Sequence, residues 1–107
     1  MRKVFRSLMC FVVLSPLPAS AGLIHGSIRE SGGPARDHPI EIVCPNSPPI
    51  STSTDNQGDY RVFVGVRGRC ELRVGNTEPA TIFSSDNPVR YDFEIGFDRG
   101  RAVLRRQ

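Results

Sequence analysis

The chain has 107 residues, no tryptophan, and 14 basic against 11 acidic residues. This length accommodates one small domain. Because Arg2, Lys3 and Arg6 supply the whole excess of positive charge, the rest of the chain carries 11 residues of each sign. The composition therefore argues against nucleic acid as a partner.

Residues 1–21 have the three-part layout of a secretory signal peptide. Three basic residues precede an apolar run of about ten, and Ala19 and Ala21 place small residues at positions −3 and −1 of a cleavage site. A helix needs about 20 apolar residues to cross a bilayer. We expect cleavage between Ala21 and Gly22, no stable membrane span in the mature form, and one domain at 22–107. A retained membrane anchor is the alternative.

Beyond residue 22, apolar residues recur at every second position, which is typical of half-buried β-strands. Gly, Pro, Asn and Asp separate the segments that show this pattern. Together they predict no helix and strands at 23–29, 39–44, 50–54, 59–66, 69–75, 80–84, 89–97 and 101–105. Short strands at such close spacing indicate an all-β fold, namely a seven- to eight-stranded antiparallel β-sandwich.

The segment from Asp55 to Gly58 has the composition of a hairpin turn. Asp55 supplies a short side chain that bonds the backbone, and Gly58 adopts positive φ readily. An acidic calcium loop is the alternative, but residues 55–59 offer only two carboxylates, whereas Ca²⁺ takes about six to eight oxygens.

The cysteines indicate one disulfide. Cys10 lies in the predicted signal peptide, which leaves Cys44 and Cys70 as a pair in the mature domain. Both lie on the inward alternation of their predicted strands, and exported proteins form disulfides readily. We expect a bridge between them that closes a loop of about 27 residues. Two buried free thiols are the alternative.

Two motifs carry a resemblance to a known family. The first leads from Gly26-Ser27-Ile28 through Gly33-Pro34 to Ile40-Glu41-Ile42, and the second is Thr54-Asp55-Asn56-Gln57-Gly58-Asp59-Tyr60. Together they resemble the carboxypeptidase regulatory-like domains, which are transthyretin-like β-sandwiches. The resemblance covers most of 26–74. It implies a transthyretin-like fold and a non-catalytic accessory role, and thus structure more than chemistry.

No residues have the spacing of a catalytic or metal site. His25 and His38 have no carboxylate or cysteine at the spacing that would complete a zinc site. The sequence therefore predicts a periplasmic or secreted, non-enzymatic module that acts by binding or structural association and uses no cofactor. The alternative is a small periplasmic enzyme or metal-binding protein that uses His25 or His38.

Two sets of residues are candidate contact surfaces for a protein or an envelope polymer. The first set is Phe63 with Arg61, because the other aromatic residues outside the signal peptide are expected on the core face: Tyr60, Phe83, Tyr91, Phe93 and Phe97. This expectation leaves few aromatic platforms for a carbohydrate. The second set is Arg101, Arg105 and Arg106, which are alternatively the solvated side chains of a last strand that discourage edge pairing.

Overall fold

The computed structural model describes residues 22–107, which form ten β-strands and no helix. The predicted signal peptide at 1–21 lies outside the described residues. The strands are β1 (Leu23–Glu30), β2 (Gly33–Pro34), β3 (Pro39–Val43), β4 (Ile50–Ser53), β5 (Asp59–Phe63), β6 (Gly68–Val74), β7 (Ala80–Ser84), β8 (Val89–Arg90), β9 (Phe93–Asp98) and β10 (Arg101–Arg106). Within 22–107 there is no helix long and apolar enough to cross a membrane.

The strands form two sheets in a sandwich-like arrangement, which confirms the predicted all-β fold. In the first sheet, the N-terminal half of β1 lies between β5, which is antiparallel, and β8, which is parallel. Its C-terminal half lies between β2 and β9, and β10 follows β9. The second sheet has the order β4-β3-β6-β7 and is antiparallel throughout. The pairings of β1 with β8 and β9 are parallel, whereas the sequence predicted only antiparallel pairing.

The core lies between the sheets and follows the predicted alternation of apolar residues. Its fully buried members come from both sheets: Ile24, Ile28, Ile40, Ile42, Leu72, Val74 and Ile82. Tyr60, Tyr91 and Phe93 are also buried, as expected. Removal of this apolar surface from water is the main favourable contribution to folding.

Two aromatic residues that were expected in the core are exposed. Phe83 is 56% exposed and Phe97 is 69% exposed, so this expectation is wrong for both. Cys70 pairs with Ile82 and Ile82 is fully buried, which directs its neighbour Phe83 outward. Phe97 continues the inward alternation of Phe93 and Ile95, but its exposure shows that the second sheet does not cover the end of β9.

Two predicted strands differ from the structure by more than one residue at an end or by an interruption. The strand predicted at 59–66 ends at Phe63, although Val64 still donates its backbone N–H to the carbonyl of Gly22 at 2.9 Å. The strand predicted at 89–97 is divided into β8 and β9. Between them, Tyr91 donates its N–H to the carbonyl of His25 at 2.8 Å, so the chain stays beside β1 across the interruption.

The segment from Asp55 to Gly58 is a turn, as predicted, but it does not close a hairpin. The Asp55 carboxylate accepts the backbone N–H groups of Gln57 at 2.8 Å and Asp59 at 3.0 Å. Gly58 has φ of +79°, and a Cβ there would lie 2.6 Å from the carbonyl oxygen of Ile28. Because β4 belongs to the second sheet and β5 to the first, this turn carries the chain between sheets.

The predicted disulfide is present and joins two neighbouring strands. Cys44 and Cys70 continue the register of β3 and β6 in which Val43 pairs with Glu71. Their Cα atoms are 4.4 Å apart, and both residues are at most 3% exposed. The bridge therefore reinforces the second sheet from inside the core.

Candidate functional site

A row of three nitrogen-bearing side chains crosses the outer surface of the first sheet. His25 on β1 pairs with Arg61 on β5 and with Arg90 on β8. The neighbours of His25 on β1, Ile24 and Gly26, are buried, which directs His25 to the outer surface. Residues opposite each other on neighbouring strands have Cβ atoms about 5 Å apart. The sheet thus places one arginine on each side of the histidine.

An apolar patch borders this row on one side. Phe63 pairs with Leu23 across β5 and β1, one outward position beyond the pair of Arg61 and His25. Phe63 is 52% exposed, as expected from the sequence, and Leu23 is half-buried. The predicted contact pair of Arg61 and Phe63 therefore lies on one continuous surface with Leu23 and His25.

Carboxylates that can accept hydrogen bonds border the row on its other side. Asp92 accepts the Arg90 Nε–H at 2.8 Å through one carboxylate oxygen and the Ser27 backbone N–H at 2.8 Å through the other. The hydrogen bond from Arg90 is the main reason that the pKa of Asp92 lies below its usual range, with the Ser27 N–H adding to this effect against partial burial. The same bond raises the pKa of Arg90. Asp59 pairs with Ser27 on the opposite side of β1.

Within this surface lies a shallow depression of about 350 Å³, which is lined by Leu23, His25, Gly26, Asp59, Tyr60, Arg61 and Arg90. Ser27, Phe63 and Asp92 are not part of its lining. We call the surface the β1 face and define it by its outward side chains: Leu23, His25, Ser27, Asp59, Arg61, Phe63, Arg90 and Asp92. It combines an aromatic and an aliphatic side chain with positively charged hydrogen-bond donors and negatively charged hydrogen-bond acceptors. Such a surface is suited to bind a ligand that has both apolar and hydrogen-bonding parts.

The backbone beneath the β1 face is held closely together. A Cβ at Gly26 would collide with the carbonyl oxygen of Tyr91, so glycine is needed where the link between β8 and β9 passes β1. The buried Tyr60 hydroxyl donates to that same carbonyl at 2.7 Å. Burial is the main cause that raises the pKa of Tyr60. The strands that carry the outward side chains of the β1 face are therefore tightly packed.

The arginines of the second predicted contact set, Arg101, Arg105 and Arg106, each have a neighbouring group of their own. The Arg106 guanidinium lies 4.6 Å from the centre of the Tyr91 ring. Arg105 donates to the carbonyl of Phe97 at 3.1 Å, and Arg101 lies 3.8 Å from the carboxylate of Glu78. Each of the three guanidinium groups therefore engages a different partner.

The two histidines lie far apart and have different surroundings. His38 places Nε2 3.1 Å from the carboxylate of Glu30 and Nδ1 2.7 Å from the carbonyl of Arg36. Glu30 and His25 are five residues apart on β1, a separation of about 17 Å along a strand. Within 22–107, no three His, Cys, Asp or Glu side chains are grouped closely enough to hold a metal ion.

Five members of the β1 face were not predicted as contact residues from the sequence: Leu23, Ser27, Asp59, Arg90 and Asp92. Arg90 and Asp92 flank the buried Tyr91, so period-two alternation directs both outward. The sequence does not reveal that β8 pairs with β1 in parallel, and this pairing is what brings Arg90 beside His25.

Comparisons with known proteins support the fold. No protein-family model and no curated protein sequence matches the chain. A solved structure of a "putative carbohydrate binding protein" from Bacteroides uniformis is similar to 75% of this chain, with a TM-score of 0.50 and 16% identity. A 9R-lipoxygenase from Cyanothece PCC8801 aligns over 94% of the chain with a TM-score of 0.39 and 16% identity, which is too weak to support an argument. The aligned regions span 49% and 15% of those proteins.

Proposed function

We propose that this chain is an exported, non-enzymatic module that binds a polysaccharide of the cell envelope on its β1 face. The observation that carries the proposal is the position of the exposed Phe63, directly beside the row of Arg61, His25 and Arg90. A sugar ring offers C–H groups that pack on an aromatic ring and hydroxyls that hydrogen-bond to charged side chains.

Export is supported by two features in different parts of the chain. Residues 1–21 have the layout of a signal peptide, and the mature domain contains the disulfide between Cys44 and Cys70. Disulfides persist in oxidising compartments and are rare in the cytosol. An envelope polymer would be accessible to a protein in such a compartment.

The arrangement of charges supports a polyhydroxylated ligand. Arg61 has no carboxylate within 4.0 Å among residues 22–107. Arg90 uses Nε for Asp92, which leaves its terminal nitrogens to donate to a ligand. Asp59 and Asp92 add acceptors for hydroxyl protons. Hydroxyl groups both donate and accept, so one sugar chain matches both kinds of side chain.

The shape of the β1 face supports an extended polymer in preference to an enclosed small molecule. The depression is open and its members lie on three adjacent strands. Such a surface contacts a few units of a chain and leaves both ends free to continue. The fold resembles that of the Bacteroides uniformis protein, whose name refers to carbohydrate binding, and this is compatible with the proposal.

The alternative of a metal-dependent or histidine-based enzyme has less support. His25 lies between two arginines, whose positive charges oppose the binding of a cation. His38 has one neighbouring carboxylate, Glu30, whereas zinc takes three or four protein ligands.

Affinity gel electrophoresis tests the proposal. The purified protein is run through gels that contain a bacterial β-glucan, a bacterial alginate, a capsular polysaccharide or the O-polysaccharide of a lipopolysaccharide. We expect at least one polymer to retard the wild type and the variant Phe83→Ala, and to retard Phe63→Ala at least threefold less. Phe83 is a matched control because it is 56% exposed, as against 52% for Phe63, but lies on the second sheet.

Two outcomes would contradict the proposal. In one, none of the four polymers retards the wild type. In the other, Phe63→Ala and Phe83→Ala bind equally, which would remove the β1 face as the site. The far-ultraviolet spectrum and the urea midpoint of each variant establish that it is folded, and both substitutions remove an exposed side chain.

A further inference from the structure

A second cleft lies at the opposite end of β1, between the ends of the two sheets. It has a volume of about 430 Å³. Its floor includes Ile95 and Val74, which are at most 9% exposed. Its rim carries six side chains with distinct chemistry: Glu30, His38, Asn76, Glu78, Phe97 and Arg101. The volume falls within the range of about 300–1,000 Å³ that is typical of small-molecule sites.

Phe97 gives this cleft an exposed aromatic surface. It lies on the inward side of β9, in alternation with Phe93 and Ile95, yet it is 69% exposed because the second sheet does not cover it. An inward aromatic residue without a covering sheet leaves a site where another apolar surface can pack. A ligand ring in this position would contact Phe97 on one side.

The walls of the cleft are fixed by backbone hydrogen bonds. Glu78 donates its N–H to the carbonyl of Ala102 at 2.9 Å, which ties the loop after β6 to β10. Gly75 donates to the carbonyl of Pro39 at 2.8 Å. The buried Thr77 hydroxyl accepts the N–H of Val74 at 3.1 Å. The rim is therefore preorganised, which lowers the entropic cost of binding.

The charges on the rim select the class of ligand. The charged rim side chains stand next to one another, Glu30 3.1 Å from His38 and Glu78 3.8 Å from Arg101. An anion beside Arg101 therefore also meets the carboxylate of Glu78, and a cation beside Glu78 also meets the guanidinium of Arg101. A wholly apolar ligand would bury these groups without hydrogen bonds, which is unfavourable. A neutral ring with one apolar face and a polar edge avoids all three costs.

We propose that this cleft binds a single neutral pyranose ring. The C–H face of the ring packs on Phe97, and its hydroxyls hydrogen-bond to Glu78, Asn76 and Arg101. This site lies on the inner side of the first sheet and the β1 face lies on the outer side. The proposal goes beyond polysaccharide binding on the β1 face and does not depend on it.

Amide NMR spectra of the ¹⁵N-labelled protein test the inference. The neutral probes are the methyl glycosides of glucose, galactose and mannose and N-acetylglucosamine, and the charged probes are glucosamine and glucose 6-phosphate. We expect saturable shifts with at least one neutral probe at the amides of Asn76, Glu78, Phe97 and Arg101. We expect glucosamine to bind at least fivefold more weakly than N-acetylglucosamine, and glucose 6-phosphate at least fivefold more weakly than methyl glucoside.

Two variants distinguish this site from the β1 face. Phe97→Ala is expected to weaken binding of the neutral probe at least tenfold, and Phe63→Ala is expected to leave it unchanged. Glu78→Gln is a second test that keeps the shape of the rim and is expected to weaken binding at least threefold. Preserved dispersion of the amide spectrum shows that each variant is folded.

The inference is overturned if no neutral probe causes saturable shifts, if a charged probe binds more tightly, or if Phe97→Ala binds as the wild type does. Shifts confined to Leu23, His25, Arg61 and Phe63 would also overturn it, while leaving the proposed function intact. Conversely, loss of polysaccharide binding in Phe63→Ala has no bearing on this cleft.

Discussion

The hydroxyl of Tyr91 accepts a hydrogen bond from the backbone N–H of Phe83 at 2.9 Å. Tyr91 lies between β8 and β9 beside the first sheet, and Phe83 lies on β7, the edge strand of the second sheet. The bond therefore connects the two sheets through a single side chain. It also occupies a donor on an edge strand that would otherwise be available to another strand.

Replacement of Tyr91 by Phe removes this acceptor and keeps the ring. We expect the free energy of unfolding to fall by about 1–2 kcal/mol, because the partly buried N–H of Phe83 loses its partner. Urea denaturation measures the loss, and amide exchange at Phe83 should become faster. Unchanged protection of this amide would show that the hydroxyl does not secure β7.

The strands were predictable because apolar residues at every second position indicate which face of a strand is buried. This signal placed Ile24, Ile40 and Leu72 in the core, and it placed Cys44 and Cys70 inward as a pair. It placed Phe83 in the core wrongly, because two adjacent apolar residues, Ile82 and Phe83, suit either face of a strand. Only the register against Cys70 decides which of the two is buried.

The candidate site was predictable only in part, for a related reason. The alternation indicated that Arg61 and Phe63 are exposed neighbours on one strand. It did not show which strand lies beside them, so the approach of Arg90 to His25 was not foreseen. Nor does alternation show whether a second sheet lies opposite an inward residue, and Phe97 is exposed because none does.

Removal of the disulfide should weaken the domain strongly. For the loop between Cys44 and Cys70, which have a sequence separation of 26, the chain-entropy model gives about 3.5 kcal/mol. This is a large share of a typical domain stability of about 5–15 kcal/mol. Urea denaturation with and without reductant measures the difference, with Cys44→Ala/Cys70→Ala as the matched variant. A difference below about 1 kcal/mol would contradict the structural role of the bridge.

The carboxylate of Asp92 should make the stability depend on pH in the acidic range. Because its pKa in the folded chain is lowered from the usual value of about 3.9, its contribution is complete above about pH 4 and is lost as the pH falls through the lowered value. Asp92→Asn should therefore destabilise the protein more at pH 6 than at pH 2. Urea midpoints at the two pH values measure this difference.

Asp86→Asn is the control for that measurement. Asp86 also pairs with an arginine, Arg67, at 3.0 Å, but its side chain is 64% exposed. Exposed ion pairs contribute little to stability, so this variant should follow the wild type at both pH values. If Asp92→Asn shows the same loss at pH 6 and pH 2, its carboxylate charge is not what stabilises the link between β8 and β9.

The phenol of Tyr60 should make the stability of the protein depend on pH in the alkaline range. Burial raises its pKa, so the folded chain keeps the phenol neutral while the unfolded chain ionises near the usual value of about 10. Its contribution is therefore complete below pH 10 and is lost as the pH rises above this value. Tyr60→Phe should cost about 1 kcal/mol at pH 7, through loss of the bond to Tyr91, and clearly less at pH 11. An equal cost at both pH values would refute this account.

The most direct test of polysaccharide binding on the β1 face uses Phe63→Trp. The chain contains no tryptophan, so this variant places a single fluorophore on the proposed site. With the polymer that retards the wild type in gels, we predict a saturable blue shift of the emission and protection from acrylamide quenching. Phe83→Trp, on the second sheet, should show neither change. An identical response from both variants, or none from Phe63→Trp, would contradict the account.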